Sequence, residues 1–116
     1  MIDEKSLIHK SASIADNVSI GAYSVIDENV SIDEGTVIKE YAVIRANTSI
    51  GKNNTIYQFS TIGEEPQDLK FDNENTTCTI GDNNTIREYS SIHRGTKDGI
   101  SDTIIGNNNL LMAYTH

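Results

Sequence analysis

Isoleucine stands at every sixth position from residue 8 to residue 62: Ile8, Ile14, Ile20, Ile26, Ile32, Ile38, Ile44, Ile50, Ile56 and Ile62. A helical face repeats near every 3.6 residues, so a strict period of six would smear around the cylinder. Six is a multiple of the strand period of two, so every sixth side chain points to the same side of extended backbone. The spacing predicts strands, and hexapeptide repeats of this kind are the signature of a parallel β-helix. Two residues before each isoleucine, also inward, stand small or modest residues: Ser6, Ala12, Val18, Ser24, Val30, Thr36, Ala42, Thr48, Asn54 and Ser60. One large and one small inward residue per side fill a narrow triangular prism, and three hexapeptide sides make a coil of 18 residues. The residue after the isoleucine is often glycine or polar (Gly21, Asp27, Asp33, Gly51, Gly63) and is expected to form the corner, with unusual dihedrals. A β-sandwich of short alternating strands is the competing architecture, and the ten-fold unbroken register argues against it.

Beyond Ile62 the pattern halts, resumes at Ile80, Ile86 and Ile92, then halts again until Ile105 and Leu111. Three near-identical segments fix the phase: Ile50-Gly51-Lys52-Asn53-Asn54-Thr55-Ile56, Ile80-Gly81-Asp82-Asn83-Asn84-Thr85-Ile86 and Ile105-Gly106-Asn107-Asn108-Asn109-Leu110-Leu111. If they stack on one side in successive coils, the spacings of 30 and 25 residues exceed one coil by 12 and 7. Those excesses predict two external loops, one within residues 64–76 and one within 94–102. Asn54, Asn84 and Asn109 then form an internal ladder, although turn chemistry alone would also explain the asparagines.

The same phasing puts Ile8, Ile26, Ile44, Ile62 and Ile92 on one side, so both loops leave at the corner that follows it. Arg45 and His93 occupy that corner column, and His116 directly precedes the next inward position, residue 117. His93 and His116 would face outward on neighbouring coils about 8 Å apart, from a coil spacing near 4.8 Å and a residue rise near 3.3 Å. Two loops and two histidines converging on one edge mark a candidate site, the alternative being that each histidine is an ordinary surface residue.

Composition narrows the function classes. At 116 residues, 36% hydrophobic and without tryptophan, the chain suits a single thin solenoid. A net charge of −8 argues against nucleic acid as a partner. The start, Met1-Ile2-Asp3-Glu4, lacks the regions of a signal peptide, and no stretch is apolar enough to span a membrane. The single cysteine, Cys78, stands two before Ile80 in the small inward slot, where it reads as core filler rather than nucleophile. A soluble cytoplasmic protein is expected.

Three stretches carry a family resemblance: Ile62-Gly63-Glu64-Glu65-Pro66-Gln67-Asp68-Leu69-Lys70-Phe71, Ile86-Arg87-Glu88-Tyr89-Ser90-Ser91-Ile92-His93-Arg94-Gly95-Thr96, and Asn109-Leu110-Leu111-Met112-Ala113-Tyr114-Thr115-His116. They resemble the acyl-ACP–UDP-N-acetylglucosamine O-acyltransferases of lipid A biosynthesis, and the resemblance runs through the whole chain. It implies a left-handed β-helix, an exception to the right-handed crossover rule, and a homotrimer with active sites between subunits. The implied reaction moves a (R)-3-hydroxyacyl group from acyl carrier protein to the 3-hydroxyl of UDP-N-acetylglucosamine. A histidine is the general base, a backbone N–H stabilises the oxyanion, and no metal or bound cofactor is needed. Gln67, Asp68 and Lys70 match the loop that contacts the nucleotide sugar, where a cation and a carboxylate suit a diphosphate and sugar hydroxyls. His93 matches a position near the site. His116 matches the first histidine of the family's His-x-x-His-Asp motif, an auxiliary, positioning role.

The family's base is the second histidine of that motif, which would be residue 119. The chain therefore reads as one hexapeptide-repeat domain, 1–116, incomplete at its C-terminal end and expected to be inactive alone. The later coils and the helical domain that binds the acidic carrier protein are missing. A solenoid stopped in mid-coil exposes an uncapped sheet edge. Alternatives are the N-acyltransferase acting later in the same pathway, a γ-class carbonic anhydrase, and a non-catalytic β-helical segment. The carbonic anhydrase needs three zinc-binding histidines, and His9 lies four coils from His93, too far to share a metal.

Overall fold

A computed structural model describes residues 1–64, 77–93 and 102–113. These residues wind into a triangular prism with a five-stranded parallel sheet on each side. The first side stacks β1 (Leu7–Ile8), β4 (Val25–Ile26), β7 (Val43–Ile44), β10 (Thr61–Glu64) and β13 (Ser91–His93). The second stacks β2 (Ser13–Ile14), β5 (Ser31–Ile32), β8 (Thr48–Ile50), β11 (Thr77–Ile80) and β14 (Asp102–Ile105). The third stacks β3 (Ser19–Ile20), β6 (Val37–Ile38), β9 (Thr55–Ile56), β12 (Thr85–Ile86) and β15 (Leu110–Leu111). Isoleucine faces isoleucine along every side, as in Ile26↔Ile44 and Ile44↔Ile62. From Ile20 to Ile92 every ladder isoleucine is at most 4% exposed, so the inward row is the core.

The phase read from the asparagine segments holds, because Ile80 pairs with Ile50 below it and Ile105 above it. The chain accordingly departs after Glu64 and returns at Thr77, and departs after His93 and returns at Asp102. Both departures lie at the corner between the first and second sides. Cys78 is a fully buried slot residue between Thr48 and Thr103.

The corners differ from the expectation in one respect. The left-handed backbone falls three residues after the isoleucine, at Asn17, Tyr23, Asn29, Gly35, Tyr41, Asn47, Asn53, Phe59, Asn83, Tyr89 and Asn108. Among the five residues expected there, only Gly63 has it, with φ 78°. The residue directly after the isoleucine still belongs to the ladder: Gly21 N–H donates to Ile38 O and Gly51 N–H to Ile80 O, each at 2.8 Å. Gly51 is small because coils approach there, where a β-carbon would lie 2.7 Å from Gly81 O. One corner uses aromatic residues in the left-handed position. Tyr23, Tyr41, Phe59 and Tyr89 stack with centroids 5.3, 5.6 and 5.6 Å apart, offsetting a left-handed cost of about 1–2 kcal/mol per residue.

Candidate functional site

The corner between the first and second sides carries charge on successive coils. Asp27, Arg45 and Gly63 follow Ile26, Ile44 and Ile62 directly, so they share one column. Arg45 reaches both ways along it. Its Nη1 lies 3.4 Å from Asp27 Oδ2 one coil down, and its Nε lies 3.4 Å from Glu64 Oε1 one coil up. Partial burial works against the charge on Arg45, but the Glu64 and Asp27 carboxylates outweigh it and hold the guanidinium above its ordinary pKa.

At Gly63 the ladder slips. Ile62 pairs with Ile92, but the next pair is Glu64 with His93, so Gly63 is a bulge residue. The slip sets Glu64 beside half-buried His93 where the column would otherwise have set Gly63. It also leaves a mark inside the prism. At four other positions an inward hydroxyl donates to the carbonyl of the residue that follows a ladder isoleucine or leucine on the next coil. Ser24 bonds Lys39 O at 2.7 Å, Thr36 bonds Gly51 O at 2.7 Å, Ser60 bonds Arg87 O at 2.8 Å and Ser90 bonds Met112 O at 2.9 Å. The corresponding acceptor for Thr48 is Gly63 O. Yet Thr48 Oγ1 is buried without a hydrogen-bond partner among the described residues, and a β-carbon on Gly63 would collide with it.

His93 thus stands on the predicted corner, next to both loop departures. His9 lies on the same side at the far end of the order β1-β4-β7-β10-β13, four coils or about 19 Å away. Its Nδ1 lies 2.9 Å from Ser11 Oγ. No group of three or more metal-ligating side chains occurs among the described residues. Gln67, Asp68, Lys70 and His116 lie outside the described residues. The Arg45 bridge was open to sequence reading, since Asp27 and Arg45 stand 18 residues apart in one column. The bulge carries no sequence signal beyond the glycine, so Glu64 and Thr48 were missed.

Residues 11–46 match the family model for the bacterial transferase hexapeptide (six repeats). Wider comparison reaches the whole chain. A Stutzerimonas stutzeri protein is 49% identical over 116 residues, covering 100% of this chain and 45% of that protein. One from Trichlorobacter lovleyi is 45% identical over 115 residues, covering 99% and 44%. Both are acyl-[acyl-carrier-protein]–UDP-N-acetylglucosamine O-acyltransferases. The solved Francisella novicida UDP-N-acetylglucosamine acyltransferase superposes with a TM-score of 0.95 at 44% identity, covering 98% of this chain and 42% of that one. The relatives are UDP-N-acetylglucosamine acyltransferases. With them the prism is identified as a left-handed parallel β-helix. The chain spans less than half the length of these acyltransferases. No helix among the described residues is long and apolar enough to cross a membrane.

Proposed function

We propose that this chain supplies the nucleotide-sugar edge of an acyl-ACP–UDP-N-acetylglucosamine O-acyltransferase. The observation that carries the reading is the 45–49% identity to such acyltransferases over essentially the whole chain, joined to a corner where both loop departures flank His93. Gln67, Asp68 and Lys70 are assigned to the diphosphate and sugar, with Lys70 as cation and Asp68 as acceptor for sugar hydroxyls. His93 is assigned to the same substrate, and His116 to positioning. In the reaction the sugar 3-hydroxyl attacks the thioester carbonyl of a (R)-3-hydroxyacyl carrier protein. A general base takes the hydroxyl proton, a backbone N–H holds the oxyanion, and the carrier thiolate leaves. Residues 1–116 form one hexapeptide-repeat domain in this reading, working in the cytoplasm within a homotrimer whose sites lie between subunits. The role assigned to these residues is substrate binding and positioning.

The test is saturation-transfer NMR of the 116-residue chain with UDP-N-acetylglucosamine. Weak binding is expected, abolished by Asp68→Ala and by Lys70→Ala. Binding indifferent to both substitutions removes that loop from the site.

A further inference from the structure

The geometry points to Arg45 as a positioning residue that fixes the Glu64 segment against His93 and so presents His93 to the nucleotide sugar; this rests on the function proposed above. Three observations converge on it. Arg45 is held by two carboxylates on different coils, Asp27 Oδ2 and Glu64 Oε1, each at 3.4 Å. An isolated exposed ion pair contributes little, but a planar guanidinium bridging two coils restrains direction as well as distance.

The second observation is the register. Glu64 is the residue paired with His93, and it holds that place only because Gly63 bulges out of the ladder at φ 78°. The bulge stretches one strand past its neighbour at the point where Arg45 grips it. The third is the cost of that arrangement. Thr48 Oγ1 is buried opposite Gly63 and has no hydrogen-bond partner among the described residues, while the hydroxyls of Ser24, Thr36, Ser60 and Ser90 find the equivalent carbonyl. A regular corner would satisfy Thr48 and set Gly63 beside His93. Backbone kept away from its local optimum is characteristic of sites where position matters.

Two readouts on the isotope-labelled 116-residue chain test this. In Arg45→Met, amide exchange at Glu64 and His93 is expected to speed by about threefold or more while exchange at Ile26 and Ile44 stays put. Affinity for UDP-N-acetylglucosamine, followed by NMR titration, is expected to fall about tenfold, and Arg45→Lys to recover part of both. Unchanged exchange in Arg45→Met overturns the inference, and so does faster exchange with unchanged affinity where His93→Ala does weaken binding, which would leave Arg45 purely structural. Failure of the functional reading looks different: the unsubstituted chain does not bind, or His93→Ala binds equally well. The exchange arm then decides the clamp by itself, faster exchange at Glu64 and His93 supporting it and unchanged exchange overturning it.

Discussion

Asn84 donates its backbone N–H to the side-chain oxygen of Asn54, one coil below, at 2.8 Å. The relation repeats one coil up, where Asn109 N–H meets Asn84 Oδ1 at 2.8 Å. The other end of each buried amide donates to a corner carbonyl, Asn54 Nδ2 to Gly81 O at 2.8 Å and Asn84 Nδ2 to Gly106 O at 2.7 Å. Only a side chain that both accepts and donates can serve a backbone N–H and a backbone carbonyl at once.

Asn84→Ala therefore removes the partner of two backbone groups on the next coil, Asn109 N–H and Gly106 O. The expected loss is about 1–3 kcal/mol, at about 0.5–1.5 kcal/mol for each of the two hydrogen bonds. Urea unfolding followed by circular dichroism should show a lower midpoint at unchanged slope. Asn84→Asp should fare no better at neutral pH, since a carboxylate cannot donate to Gly106 O and its charge is buried. A midpoint matching that of the unsubstituted chain in either variant contradicts the ladder.

The orphaned hydroxyl of Thr48 gives a contrast within one residue type. Thr48→Val removes a buried group that has no partner among the described residues and should be neutral or slightly stabilising. Thr36→Val removes a hydroxyl that donates to Gly51 O at 2.7 Å and accepts Asn54 N–H at 3.2 Å, at an expected cost of about 1–3 kcal/mol. Thermal denaturation of the two variants side by side checks this. Equal losses would mean that Thr48 finds a partner in solution.

Tyr41 has φ 58° and stacks between Tyr23 and Phe59. Tyr41→Ala keeps the left-handed backbone cost and gives up both stacks, an expected loss of about 1–3 kcal/mol at about 0.5–1.5 kcal/mol per aromatic pair. Tyr41→Asn also gives up the stacks, yet asparagine tolerates the left-handed region and should sit between the two in stability. Denaturant midpoints ordered tyrosine, asparagine, alanine are expected. Alanine equal to tyrosine would show that the aromatic column contributes nothing.

The prism was legible because a solenoid makes each side chain's neighbour its own counterpart a fixed number of residues away. Ile44 meets Ile26 and Ile62 for that reason. The same regularity made the Asn54–Asn84 ladder and the common corner of both loop departures readable by counting. The corner chemistry was misread. Glycine directly after isoleucine looked like a turn, but Gly51 is small because the next coil's carbonyl lies against it, and the turn conformation sits at Asn53. The site was half visible. His93 and Arg45 fall in the corner column by counting, whereas pairing Glu64 with His93 needs the bulge.

What the sequence alone determined is everything that follows from period: inward faces, coil length, phase, and which corner bears the loops. Periodicity constrains every coil at once, so one register satisfies all of them. The tertiary structure decided what breaks period: the slip at Gly63, the stranded hydroxyl of Thr48 and the Arg45 bridge to Glu64. The bulge falls one residue before the end of its strand at Glu64, so no alternation follows it to record the slip. It becomes visible only when the neighbouring coil is laid against it.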